Sequence, residues 1–452
     1  MTTNNARTLS SVEVVDRYLS FFRTRGHVEL PGSPIVVPDS STSFIIAGMQ
    51  PLLPYLRGQE QPPAPRLTSF QRCLRTDDAD AVGINGRKLT CFHMLGNWSI
   101  GDYGKHDAIA MALDLLLNSF GLDAEKLWVT TFAGDAVLGV PTDEATIKEW
   151  LHVGIPGERI VPLGVDDNFW SMGGPGPCGP CSEIFVDRGE ALGCGRPGCQ
   201  PGCECERFIE IWNLVFIEYE RLPDGSLAPL PLRSVDTGMG LERIGVVLQG
   251  AESVFSIDLF VPAITRLTEL ATTDVVESSR SELRARRMIV DHTRAALFAG
   301  LAGVQPGRDG RSSVVRRLIR RASRQGRVLG IDGPFLGELV MPLVQGHAGL
   351  LTPEERLRVP EVVSMLADEE GRFSRVLTLG LRHLAQLEPG ERGLVPGERL
   401  FELHAEKGFP SDLAAEVLAE RGLQVDWLGY ERALAEHREV SRLGYERRLS
   451  GA

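Results

Sequence analysis

Residues Gln71–Asn97 read QRCLRTDDADAVGINGRKLTCFHMLGN. Two strand-like runs, Gln71–Arg75 and Arg87–Asn97, flank a polar loop, Thr76 to Gly86, rich in Asp and Gly. Guanidinium forks suit phosphoryl oxygens, so Arg75 and Arg87 are candidates for nucleotide phosphates. Phe92 would then offer a face for a base. Alone, the stretch also fits an ordinary hairpin with surface arginines.

Outward from this hairpin, residues 30 to 250 carry short apolar or alternating runs, such as Leu127 to Phe132 and Phe208 to Phe216, between Gly/Pro-rich stretches. That texture predicts an antiparallel sheet with helices packed on it. Ahead of it, Ser10 and Glu13 match a capping box, with Val12, Val15, Leu19 and Phe22 at helical spacing. Beyond residue 250 the pattern turns helical, over 256–272, 280–301, 312–329, 353–388 and 411–447. Segments 302–310 and 390–398 read as connections. The expected class is α+β, a sheet-and-helix domain over 1–250 followed by an all-helical domain over 251–452.

Within the front part, Ser234-Val235-Asp236-Thr237-Gly238-Met239-Gly240-Leu241-Glu242-Arg243-Ile244 alternates Gly with other types, so backbone there can approach a ligand closely before a helix begins. Asp236 is a candidate partner for an ammonium group, and Arg243 for a phosphate. A Gly-rich lead into a capped helix is the plainer alternative. The stretch 171–206 is dense in Gly, Pro and Cys and reads as a long structured loop. Within it, Cys178-Gly179-Pro180-Cys181 reads as a rigid turn with small buried thiols rather than a metal site. Cys194, Cys199, Cys203 and Cys205, spaced C-x4-C-x3-C-x-C, either hold a tetrahedral zinc or are four reduced thiols in a loop.

Bulk properties set limits. The chain has 452 residues, 43% hydrophobic and 24% charged, with a net charge of −12. Any contact with nucleic acid must therefore come from a local basic patch. The run VVRRLIRRASRQGR supplies one: Arg316, Arg317, Arg320, Arg321 and Arg324 lie at helical spacing, for phosphate contact or for pairing with this chain's own acids. No uncharged apolar run suits a membrane span, and eight cysteines without a signal core suggest a reduced compartment. The expected location is the cytoplasm.

Taken in order, Met94–Tyr103 (MLGNWSIGDY), Gly176 to Ile184, Phe208 to Phe216 (FIEIWNLVF) and Ser234 to Ile244 resemble alanyl-tRNA synthetases, and the similarity runs from about residue 15 to 440. The resemblance implies a class II sheet of six to seven antiparallel strands and an ATP-dependent ligase using Mg²⁺. It puts Arg75 on the α-phosphate, Phe92 under the adenine, and Arg243, helped by Arg87, on the terminal phosphates. Asp236 would hold the alanine ammonium, with Met94, Trp170, Asn213, Val215 and Gly238 around a pocket fit for a methyl group. It makes L-alanine and tRNA(Ala) the expected partners, with the arginine run on the RNA. The match stops near where the family's editing domain would begin, so neither proofreading nor dimerisation is expected. Two positions depart from the pattern. Arg308 and Ala405 stand where the family reads a G·U acceptor pair with an asparagine and an aspartate, and neither side chain accepts a hydrogen bond. That keeps open transfer to another hydroxyl or amine acceptor, such as a nucleoside-type small molecule. His93 also replaces a glutamate.

Overall fold

The computed structural model describes residues 8–36, 43–272, 279–390 and 393–449. Nine strands form one sheet: β1 (Val28–Leu30), β2 (Arg66–Leu74), β3 (Cys91–Ile100), β4 (Leu127–Phe132), β5 (Ile160–Leu163), β6 (Phe169–Trp170), β7 (Gly176–Asp187), β8 (Phe208–Arg221) and β9 (Leu227–Gly240). Their order is β1-β2-β3-β9-β8-β7-β4-β5, with β6 paired to β7. The expected antiparallel ladder forms the centre, while β1–β2 and β4–β5 at the two edges pair in parallel.

The Gln71–Asn97 stretch forms the β2–β3 hairpin, with Phe70 opposite Leu95 and Cys73 opposite Phe92. Alternation sends Cys91, His93, Leu95 and Asn97 to one face and Phe92, Met94, Gly96 and Trp98 to the other. The first face is core. Helix Ser11–Arg23 lies against it, started by the Ser10–Glu13 capping box, and buries Val15, Tyr18, Leu19 and Phe22. Helix Leu241–Gln249 follows β9 directly, as the glycine alternation implies.

One correction concerns 171–206. Gly176–Asp187 is strand β7, not loop, and Cys178 and Cys181 are buried on it rather than in a turn. The ladder with β8 breaks between Cys178 and Cys181, where Gly179 and Pro180 sit. A side chain at Gly179 would meet the Phe216 carbonyl at 1.9 Å. Glycine there answers a close approach of two strands rather than a turn.

In the back half, helices cover Val261–Leu270, Arg280–Leu301, Gly310–Val328 and Pro353–Ala385, close to expectation. Helices Leu336–Gly346 and Gly397–Lys407 were not anticipated. The first carries Pro342 internally, and the second starts inside the segment read as a connection. The single helix expected over 411–447 is two, Ser411–Glu420 and Trp427–Leu449, separated by a turn whose Gln424–Val425 pairs in parallel with Leu394–Val395.

One hydrophobic cluster runs from Leu9 through the sheet to Leu366 on the long helix, and a second, smaller one joins Phe373 to Tyr430. At the smaller one a side chain on Gly380 would meet the buried Phe409 ring at 1.9 Å. We therefore expect Gly380→Ala to destabilise that cluster by about 1–3 kcal/mol, the usual cost of overpacking. Hydrogen exchange should rise across 373–430 and stay unchanged in β3, β8 and β9.

Candidate active site

On the second face of the sheet lies a cavity of about 570 Å³. Arg75, Arg87, Phe92, Met94, Trp170, Asn213, Val215, Asp236, Gly238 and Arg243 all line it. Register brings them together. Gly96, Gly238, Asn213 and Glu183 form one row across β3, β9, β8 and β7, and Trp98, Asp236, Val215 and Cys181 form the next.

Arg75, just past the end of β2, donates from Nε to the Ile46 carbonyl at 2.9 Å, and its guanidinium lies 4.9 Å from the Phe92 ring centre. Arg243, three residues past the Met94–Gly240 pair, joins Glu210 at 2.5 Å. Further along the strands, in the Trp98 row, Asp236 accepts from the Trp98 indole at 2.6 Å. Burial pushes the Asp236 carboxyl up to about 7, against the opposing pull of that indole. A side chain at Gly238 would meet the Met94 sulfur at 2.9 Å, and one at Gly96 the Trp98 ring at 2.2 Å. Both glycines keep the floor low. Asn213 carries a buried side-chain oxygen with no partner. Arg87 donates to the Cys205 and Phe208 carbonyls at 3.3 and 3.1 Å, tying the cavity rim to the cysteine segment.

Several acids that line the cavity escape the sequence reading, Glu183 and Glu210 among them. Glu210 and Asn213 are three apart on β8 yet share the cavity, because Ile184 pairs Trp212 while Phe185 pairs Glu210. Ile211 is thus an extra residue, a bulge that turns Glu210 onto the site face. Burial, and then the nearby Glu210, push the Glu183 carboxyl up to about 9. The available signal was a carboxylate inside each of two otherwise apolar runs.

The arrangement can hold a polyanion at Arg75 and Arg243 and an ammonium against Asp236. A family profile described as tRNA synthetases class II (A) matches residues 13–449. The chain belongs to this family. It is 39% identical over 447 residues to the alanine–tRNA ligase of Acetivibrio thermocellus and 42% over 440 to that of Desulforamulus reducens, covering 97% and 96% of this chain. The chain spans about half the length of these curated relatives, 49% in each case. A solved histidyl-tRNA synthetase from S. aureus aligns with a TM-score of 0.34 and 14% identity, over 56% of this chain and 71% of that one.

Outside the cavity, this class II chain places its other candidates as follows. The sulfurs of Cys194, Cys199, Cys203 and Cys205 all lie within 4.8 Å of one another. The arginine run is largely engaged. Arg316 and Arg320 pair with Glu369, Arg321 with Asp80 and Glu416, and Arg324 with Glu420. Arg321 and Arg324 are buried. Arg308, Arg316, Arg317, Arg320 and Arg321 nevertheless line a cleft of about 330 Å³ facing His404, the neighbour of Ala405. His93 lies on the core face, bonded to Glu242 at 2.9 Å, and not in the cavity. Among the described residues, no helix is long and apolar enough to cross a membrane.

Asp236 sets a pH test. Its carboxyl must be ionised to hold an ammonium, and the raised value means it protonates as pH falls through about 7. A ligand held by its α-ammonium should bind best near pH 8, weaken about tenfold per unit well below pH 7, and weaken again in alkali as its own amine deprotonates. Asp236→Asn should lower affinity and flatten that dependence, as read by calorimetric titration with alanine.

Proposed function

We propose that this chain activates L-alanine with ATP, forming alanyl-adenylate and pyrophosphate, and transfers the alanyl group to tRNA(Ala). The observation that carries the reading is one cavity lined by two arginines, Arg75 and Arg243, and by the buried carboxylate of Asp236. The alanine carboxylate attacks the α-phosphate beside Arg75, the P–O bond to pyrophosphate breaks, and Arg243 takes up charge on the leaving phosphates. Such a transfer needs positioning and charge neutralisation more than a protein nucleophile. Magnesium adds neutralisation when bound. Glu210 and, once the cation displaces the proton that burial keeps on it, Glu183 would hold that ion through hard oxygen donors. Phe92 offers its face to the adenine.

In this reading, residues 1–250 make the adenylate and residues 251–452 present the acceptor RNA, with the cleft around Arg316, Arg317 and Arg320 as the contact. The enzyme works in the cytoplasm. The four-cysteine cluster holds one structural zinc. Tetrahedral zinc with bonds of ~2.3 Å sets thiolate sulfurs about 3.8 Å apart, and Cys199–Cys205 and Cys194–Cys203 stand at 3.5 Å. Zinc there would fix the segment whose carbonyls hold Arg87.

Purified protein should exchange labelled pyrophosphate into ATP when alanine is present, and Arg243→Gln should lower that rate by about a hundredfold or more. It should charge tRNA bearing the G·U acceptor pair. Because Arg308 and Ala405 offer no side-chain acceptor to the guanine amino group, changing the pair to G·C should alter charging by less than about tenfold, below what a lost specific base contact usually costs. Absence of exchange with alanine, or equal exchange with a bulky amino acid, would sink the reading. Elemental analysis should find one zinc per chain, and Cys199→Ser should lower that content and reduce the melting temperature. A protein prepared without chelator that holds no zinc removes the metal from the account.

A further inference from the structure

Against the cavity floor lies a buried ionic cluster that the chemistry above does not use, and one member, Glu242, also borders the cavity. Glu242 accepts from the His93 backbone at 3.0 Å, from the His93 ring at 2.9 Å, and from Arg294 at 2.8 Å. Arg294 also donates to the Cys91 carbonyl and stacks 4.3 Å from the Phe260 ring centre. Arg294 is fully buried and Glu242 is 1% exposed. The His93 ring is enclosed by Phe70, Phe298 and His347. Burial would raise the Glu242 carboxyl, but the Arg294 charge and then His93 reverse this and hold it at about 2.

The anchor points matter more than the pair. Cys91 and His93 flank Phe92, and Glu242 immediately precedes Arg243. Alternation points the clamped groups backward and Phe92 forward. One carboxylate and one guanidinium therefore fix, from behind, β3 at the base-stacking ring and the first turn of helix Leu241–Gln249 at the phosphate-binding arginine. Arg294 comes from helix Arg280–Leu301, in the half of the chain read as the RNA-presenting part.

We propose that Arg294 is a positioning residue which, through Glu242, sets the spacing between Phe92 and Arg243 and so governs binding of the nucleotide but not of the amino acid. The proposal rests on the assignment of those two residues to ATP. A buried ion pair with a merely structural role behaves differently. Removing one partner is costly, while removing both charges together is often neutral.

The test uses the purified chain with three measurements: melting temperature, calorimetric Kd for ATP, and calorimetric Kd for alanine. The double variant Arg294→Gln with Glu242→Gln removes both charges. We expect it to melt within about 5 °C of the parent and to bind ATP about tenfold or more weakly, since small displacements of positioned groups cost that much. Alanine Kd should stay within about twofold. Arg294→Lys keeps the charge for Glu242 but not the fork that also reaches Cys91, so it should rescue part of the ATP affinity. Recovery of ATP affinity together with stability in the double variant overturns the proposal, as does an equal loss for both ligands. If the double variant does not fold, Arg294→Lys decides. Weaker ATP with unchanged alanine supports the proposal, and no change in either overturns it. Alanine-dependent pyrophosphate exchange by the parent is scored separately. Its absence, with ATP binding intact and sensitive to Arg294, would defeat the ligase reading and leave the positioning role standing.

Discussion

Gly96 pairs with Gly238, and Gly238 with Asn213, across the centre of the sheet. Because side chains alternate with period two, slipping either pairing by one residue would send Asp236, Gly238 and Asn213 into the core and bring Thr237 and Leu214 to the surface. The site therefore depends on register, and the molecule pins that register on both faces. On the cavity face the Trp98 indole bonds Asp236 on the neighbouring strand. On the core face Asn97 accepts from Thr237 and from Tyr18, and donates to Tyr103. Asn97, Thr237 and Tyr18 are deeply buried, so a slipped sheet would strand their polar atoms without partners.

This dependence explains what could be seen in the sequence. A ligand pocket on a sheet demands small residues where backbones or rings approach and charged residues where a charged ligand is to be held. The Gly–Met–Gly alternation, Arg75 and Arg243 record those demands directly. Glu210 was invisible for the converse reason. Its direction is set by the bulge at Ile211, and a bulge is a property of two paired strands. Strand β7 failed for a related reason. Gly179 and Pro180 are punctuation in most contexts, but here they sit inside a strand, where Gly179 avoids a clash with the Phe216 carbonyl at an interruption of the ladder. In the helical half, Pro342 concealed a helix that burial of Leu336, Leu339, Val340 and Leu343 stabilises despite the proline.

The arginine run shows a limit of a different kind. Helical spacing predicts which arginines share a face, but says nothing about acids brought from far away. Glu369, Glu416 and Glu420 lie on two other helices, and Asp80 lies on the loop of the opening hairpin. In a chain of net charge −12, buried Arg321 and Arg324 are held by such partners. What remains for an RNA backbone is the cleft side of Arg316, Arg317 and Arg320. A phosphate arriving there competes with Glu369 for two of these, so part of its attraction is spent in displacing an existing pair.

The same long-range pairing makes the helical half part of the active site's construction. Arg72 on β2 bonds the Leu350 carbonyl at 2.7 Å and Glu355, Asp291 accepts from the Thr90 backbone at 2.9 Å, and Arg294 holds Glu242 and Cys91. All three ties land on or beside the β2–β3 hairpin, on the face opposite Arg75 and Phe92. The Arg75–Phe92 end of the cavity is thus supported by groups distant in sequence, while the Asp236 end is supported within the sheet by Trp98. Strain introduced at the helical half should therefore reach Arg75 and Phe92 before it reaches Asp236. A cavity built this way couples one end to the rest of the chain and insulates the other.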